Sequence, residues 1–138
     1  MKLMVMDGQG GGIGAAIIKG LRESVGNDMP ILALGTNSVA TARMMKAGAN
    51  KGGTGENAIM QNCKSVSVII GPLAILMANS MMGEVTQGMA SAVSSCEATK
   101  ILIPLTQERV KIMGVSGEPL PHLVDQAVKI IREMNEDV

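Results

Sequence analysis

Met1–Val25 reads MKLMVMDGQGGGIGAAIIKGLRESV. A short apolar run, Leu3–Met6, stops at Asp7. Five glycines follow within seven residues (Gly8, Gly10, Gly11, Gly12 and Gly14), and a helical pattern starts at once. Strand, glycine-rich turn, then helix is how a mononucleotide-binding unit begins. Glycine is costly to order, so five of them need a geometric reason. Without Cβ atoms, a phosphate can approach backbone N–H groups at a helix N-terminus, where the helix dipole favours an anion. The helix is predicted over Gly12–Val25, with Ile13, Ile17, Leu21 and Val25 as its apolar stripe and Lys19 and Glu23 on the solvent side.

Outward from this unit, strands and helices alternate. Gly26-Asn27-Asp28 and Pro30 end the first helix, and Ile31–Leu34 is a continuous apolar run suited to a parallel strand buried on both faces. Gly35-Thr36-Asn37-Ser38 offers N-caps for a helix reaching Ala47, with Gly48 as its C-cap. An edge strand is expected near Asn50–Gly53, then a helix capped by Thr54 and running to Cys63. Val66–Ile70 is a strand ending in Gly71-Pro72, and the apolar Leu73–Met82 is partly helical. Glu84-Val85-Thr86 starts a helix to Ala98. Ile101–Leu105 and Arg109–Val115 are predicted as an antiparallel edge hairpin. Leu120, Leu123, Val124, Ala127, Val128, Ile131 and Met134 mark a final amphipathic helix.

Such alternation requires a parallel sheet with right-handed crossovers. The expectation is one α/β domain over residues 1–138, a three-layer Rossmann-like, mostly parallel sheet of order 3-2-1-4-5-6. The ligand crevice then falls at the topological switch point, between the Asp7–Gly14 loop and Gly71-Pro72.

Composition narrows the function classes. Formal net charge is zero and no basic run exists, which argues against a nucleic-acid partner. Cys63 and Cys96 are far apart in sequence and lack metal-ligand spacing, so no metal site is predicted. With no signal peptide in view, a reducing cytoplasm is the expected home. Ser65–Gly83 carries no charge, but Gly71-Pro72 interrupts it and Asn79 and Ser80 are polar, so it reads as buried strand plus helix, not as a membrane span. The chain has no Phe, Tyr or Trp and thirteen methionines. No tyrosine can therefore act as an acid or base, and no ring can stack on a nucleotide base; methionine fills the space.

Candidate site residues follow from the switch-point geometry. The loop supplies Asp7, Gly8, Gln9, Gly10, Gly11, Gly12, Ile13 and Gly14, and the turn after the Val66–Ile70 strand supplies Gly71 and Pro72. A carboxylate at Asp7 repels a phosphate unless a hydrogen bond, a proton or magnesium intervenes. The reading adopted is that Asp7 caps the loop by accepting its N–H bonds. An NAD site places an acidic residue at the tip of the second strand. Here Thr36, Asn37 and Ser38 stand there, with Arg43 beyond, a set that suits a 2′-phosphate or simply caps a helix. Thr54 and Asn57 open the third helix on the same side. Asn79, Ser80 and Glu84 follow the switch-point strand and are the polar candidates for chemistry; Glu84 also suits a helix N-terminus. His122 reads as a surface residue and Cys96 as packing. No nucleophile–base pair emerges.

Gly8-Gln9-Gly10-Gly11-Gly12-Ile13-Gly14 resembles the cofactor loop of short-chain dehydrogenases, with Asp7 where that family usually has threonine. The resemblance covers only about the first forty residues, and that family's Tyr-x-x-x-Lys pair is impossible here. The Walker pattern also fails, because no lysine follows the glycines at the required place. Across its whole length, the chain resembles a family of short, uncharacterised bacterial proteins of nucleotide-binding appearance. Asp-Gly-Gln-Gly-Gly-Gly-Ile-Gly at the start, Thr-Gly-Glu-Asn-Ala-Ile at 54–59, Met-Gly-Glu-Val-Thr at 82–86 and Lys-Ile-Leu-Ile-Pro at 100–104 carry that resemblance. It implies a Rossmann-like fold and no reaction.

The expected function is nucleotide binding in a sensing or binding role, with NADP ahead of NAD. Two alternatives are a small NAD(P)-dependent oxidoreductase with a site shared between subunits, and an assembly protein whose loop is empty. The small residues Gly88–Ser95 suggest a homodimer or larger.

Overall fold

The computed structural model describes residues 1–105 and 108–136. Five parallel strands form one sheet: β1 (Leu3–Asp7), β2 (Ile31–Gly35), β3 (Lys51–Thr54), β4 (Val68–Pro72) and β5 (Thr99–Ile103), in the order β3-β2-β1-β4-β5. The helices are α1 (Gly12–Val25), α2 (Ser38–Ala47), α3 (Glu56–Cys63), α4 (Gln87–Ser95) and α5 (Leu120–Glu136), with a 3₁₀ turn at Leu73–Leu76.

The central strand β1 is wholly buried and splits its side chains between two cores, as the period of two dictates. Leu3 and Val5 join Ile17, Ile18 and Leu21 of α1, Met44 of α2, and Val124, Val128 and Ile131 of α5. Met4 and Met6 join Ile59 and Cys63 of α3 and Met89 and Val93 of α4 on the other face. The result is three layers: α1, α2 and α5, then the sheet, then α3 and α4. Methionines occupy ring-sized positions in both cores; Met4, Met6 and Met44 are fully buried.

Two expectations need correction. Arg109–Val115 is not a strand, so among the described residues the sheet has five strands and no antiparallel hairpin. Left-handed glycines at Gly114 (φ 85°) and Gly117 (φ 70°) turn this stretch toward α5, and Val110, Ile112 and Val115 stay half-exposed. The hairpin's turn, expected over 106–108, lies partly outside the described residues. Thr54 does not cap α3: Gly55 holds the N-cap position, and the Thr54 hydroxyl meets that of Thr41 at 2.8 Å. Leu73–Met82 is partly helical, as expected: Leu73–Leu76 is a 3₁₀ turn, and the tight turns after it hold Asn79, Met81 and Met82 in left-handed backbone.

The small residues of α4 face α3 within the same chain. A Cβ on Gly88 would meet the Glu56 carboxylate at 2.9 Å, and Ser91, Ala92 and Ser95 line the groove between the two helices. Among the described residues, no helix is long and apolar enough to cross a membrane.

Candidate functional site

The β1–α1 loop is built around Asp7. Its carboxylate accepts the Gly8 amide at 2.8 Å and the Gly14 amide at 2.7 Å, so one side chain ties both ends of the loop together. Asp7 is 3% exposed. Burial pushes its pKa above the ordinary value, and the amides of Gly14, Gly8 and Ile13 offset only part of that rise. Gly11 closes the turn in left-handed backbone (φ 73°), its amide bonding the Gly8 carbonyl at 2.9 Å. A Cβ there would strike the backbone of Ala40. The amides of Gly10 and Gly12 have no partner among the described residues, and both glycines stand at the start of the 14-residue α1.

Beside this loop, at the C-terminal edge between β1 and β4, lies a crevice of about 620 Å³. Its walls are the loop from Asp7 to Ile13, Pro72 and Ala74 after β4, and Asn79, Met81 and Met82 from the following turns. Leu105 and Glu108, just past β5, complete it. This is the switch point of the sheet, where open α/β folds bind ligands.

Glu84 is not among the residues that line the crevice; it braces the glycine loop against the tip of β2. It comes from the β4–α4 connection, yet its Oε1 reaches the tip of β2. There it accepts the Thr36 hydroxyl at 2.7 Å, the Asn37 side-chain amide at 2.8 Å and the Gln9 backbone amide at 2.8 Å. No acidic residue of β2 or its following turn stands at that tip; the carboxylate that reaches it comes from the β4–α4 connection. Partial burial raises the Glu84 pKa, but the three donors outweigh it and leave the carboxyl below its ordinary value. The two carboxyls therefore tilt stability in opposite directions with pH. Glu84's contribution is fully present above its ordinary value of 4.5 and is lost as pH falls through the depressed folded value. The contribution of Asp7 is present below its ordinary value of 3.8 and is lost as pH rises through the raised folded value. Glu84→Gln is expected to remove the acid-side loss, so its unfolding midpoint falls less than wild type between neutral pH and the region below 4.5. A parallel decline in the two proteins would count against this assignment.

The remaining predicted residues separate into groups. Arg43 reaches the loop, with Nη1 3.3 Å from the Gly10 carbonyl and its guanidinium beside Gly12. Asn37 caps α2 through Ala40 and also donates to the Gln9 carbonyl at 2.9 Å. Ser38, Thr54 and Asn57 are exposed and do not line the crevice. Ser80 turns inward, 2% exposed, and donates to the Ala74 carbonyl at 2.7 Å, which holds the turn in place. Asn79 lines the crevice. Gly71 is buried in β4, where a side chain would collide with the Met6 carbonyl. His122 is exposed and pairs with Glu118 at 3.0 Å.

Sequence reasoning missed Ala74, Met81, Met82, Leu105 and Glu108 as crevice walls. Glu108 accepts the Met81 amide at 2.7 Å. The usable signal was its place after a parallel strand, since ligands gather beyond the carboxyl ends of such strands. Reading Ile101–Leu105 as half of a hairpin concealed it. Four non-glycine residues with positive φ, Gln9, Asn79, Met81 and Met82, all border this crevice. Strain of that kind persists only where neighbours hold it. Among the described residues, no cluster of His, Cys, Asp and Glu fit to hold a metal is found.

Residues 2–136 match the model of a family described as a domain of unknown function (DUF3842). The chain belongs to this family. No curated protein and no solved structure matches it. The DUF3842 match spans both walls of the crevice, from the glycine loop to Glu108.

Proposed function

We propose that this DUF3842 chain binds a nucleotide in the β1–β4 crevice, in a sensing or binding role, with NAD preferred over NADP. The observation that carries the reading is the pair of unpartnered amides, Gly10 and Gly12, at the start of α1 on the crevice wall. A phosphate there would gain two N–H donors and the positive end of the helix dipole, with the Arg43 guanidinium beside Gly12. Asp7 opposes an anion less than a free carboxylate would, because its charge is held by loop amides and burial shifts it toward protonation.

The preference for NAD rests on Glu84. Its Oε1 is fully engaged at the β2 tip, which leaves Oε2 to accept a ribose hydroxyl. The same carboxylate repels a 2′-phosphate, reversing the preference drawn from Thr36, Ser38 and Arg43 alone. No group here is assigned a catalytic role, so binding is the whole of the proposal.

Stripped protein should be mixed separately with NAD, NADP and ATP, and its thermal midpoint followed by far-ultraviolet circular dichroism. A ligand at about a hundred times its Kd adds roughly 2.7 kcal/mol, enough to raise the midpoint by several degrees. NAD is expected to shift the midpoint most and NADP less. No shift from any nucleotide at millimolar concentration would make the loop a structural turn.

A further inference from the structure

The groove between α3 and α4 holds chemistry that the crevice does not use. Cys63 is the last residue of α3, and Cys96 directly follows the last residue of α4. The two helices run side by side in the same direction. At their N-terminal ends, the Thr86 hydroxyl that caps α4 donates to the Glu56 carboxylate that opens α3. At their other ends stand the cysteines, 33 positions apart in sequence and brought together in space. Both line each of two adjoining cavities, of about 480 and 370 Å³. Lys2, Lys64, Ser65 and Ser67 also line the larger one, with the single carboxylate of Glu97, so its wall carries two cations against one anion and several hydrogen-bonding groups.

We propose that Cys63 and Cys96 are a dithiol that closes reversibly to a disulfide by exchange with a small anionic disulfide of the glutathione type, admitted through the Lys2–Lys64 cavity. The inference is independent of the nucleotide reading.

Accessibility orders the two steps. Cys96 is partly exposed, whereas Cys63 is 3% exposed. Burial first, and then the neighbouring Cys96 thiol, push Cys63 up to about 11. Cys96 therefore attacks first: it gives its proton to water, and its thiolate bonds to one sulfur of the small disulfide. The small S–S bond breaks, and one small thiolate leaves and takes up a proton. Cys63 then loses its proton and attacks the Cys96 sulfur of the mixed disulfide, expelling the second small thiol. Two protein thiols are oxidised, and one small disulfide is reduced to two thiols. The product staples the C-terminal ends of α3 and α4, whose N-terminal ends Thr86 and Glu56 already join.

The test treats the reduced, full-length chain with oxidised glutathione in native buffer and follows intact mass after an acid quench. Wild type is expected to lose two hydrogens and remain a single chain. Cys63→Ser should stall as a glutathione adduct at Cys96. Cys96→Ser should leave Cys63 unmodified until denaturant is added, its native-state reaction at least about tenfold slower than that of Cys96, in line with its raised pKa. A wild-type chain that stays reduced, retains the adduct or cross-links to a second copy overturns the proposal. So does a Cys63 that reacts equally fast without Cys96, provided the variant keeps its wild-type far-ultraviolet spectrum.

Discussion

Alanine at Gly71 is expected to lower the stability of the domain by about 3 kcal/mol or more, at the upper end of what overpacking costs. Gly71 lies in β4 beside β1, and a Cβ there would fall far inside contact with the carbonyl oxygen of Met6, with the Ile75 side chain 3.2 Å away. The obstacle is backbone in the central strand, so no rotamer change relieves it; the two strands must part. In a domain whose whole stability is of the order of 5–15 kcal/mol, that loss is large. The measurement is a urea midpoint from the far-ultraviolet signal, since the chain lacks the aromatic residues that fluorescence needs. Gly12→Ala is the control. Its new Cβ would sit 3.5 Å from Arg43, an ordinary contact with a flexible side chain, and it should leave the midpoint nearly unchanged. Equal midpoints for Gly71→Ala and wild type would mean that the strands yield more easily than close packing allows.

Valine at Gly12 is expected to cut the nucleotide-induced rise in midpoint by about half or more while leaving the unliganded protein folded. The backbone at Gly12 is not left-handed, and the nearest atoms to a Cβ there belong to Arg43, so the side chain fits the empty site. Its methyls would occupy the space in front of the Gly10 and Gly12 amides that the phosphate is proposed to fill. Losing those two donors should weaken binding by at least about tenfold, equivalent to 1.4 kcal/mol. Titration calorimetry with NAD separates the outcomes. Unchanged affinity in a folded Gly12→Val protein would take the loop out of the binding site.

The fold was legible wherever a local pattern coincided with a buried requirement. Leu3–Met6, the glycine cluster and the four-residue stripe of α1 placed the central strand, the turn and the first helix, and α1 spans Gly12–Val25 as read. The strand order of the first four strands followed from chirality and alternation. Arg109–Val115 was misread because Val110 and Ile112 alternate with Arg109 and Lys111 like a strand, while what shapes the stretch is two left-handed glycines and the need to reach α5. At the site, Asp7 was legible because a carboxylate before a glycine turn finds amides locally. Glu84 was legible only as a polar residue near the crevice. Its bonds to Gln9, Thr36 and Asn37 span separations of 75, 48 and 47 residues, which no local pattern encodes. The Cys63–Cys96 pairing was hidden for the same reason: two helix ends meet only once both helices lie on the same face of the sheet.

The position of β1 in the middle of the sheet shapes how the chain must fold during synthesis. β1 pairs with β2 on one side, but its other edge, at Leu3, Met4 and Val5, is closed only by Val68, Ile69 and Ile70. At a ribosomal rate of about 5–20 residues per second, that edge waits on the order of several seconds for its partner. Meanwhile, β1 and β2 present apolar strands with one unpaired row of backbone groups, the kind of edge on which chains aggregate. Folding is therefore gated by a contact between distant parts of the chain, and domains dominated by such contacts fold slowly. Variants that weaken the β1–β4 seam should accumulate in inclusion bodies before any loss of binding is measurable in the soluble fraction.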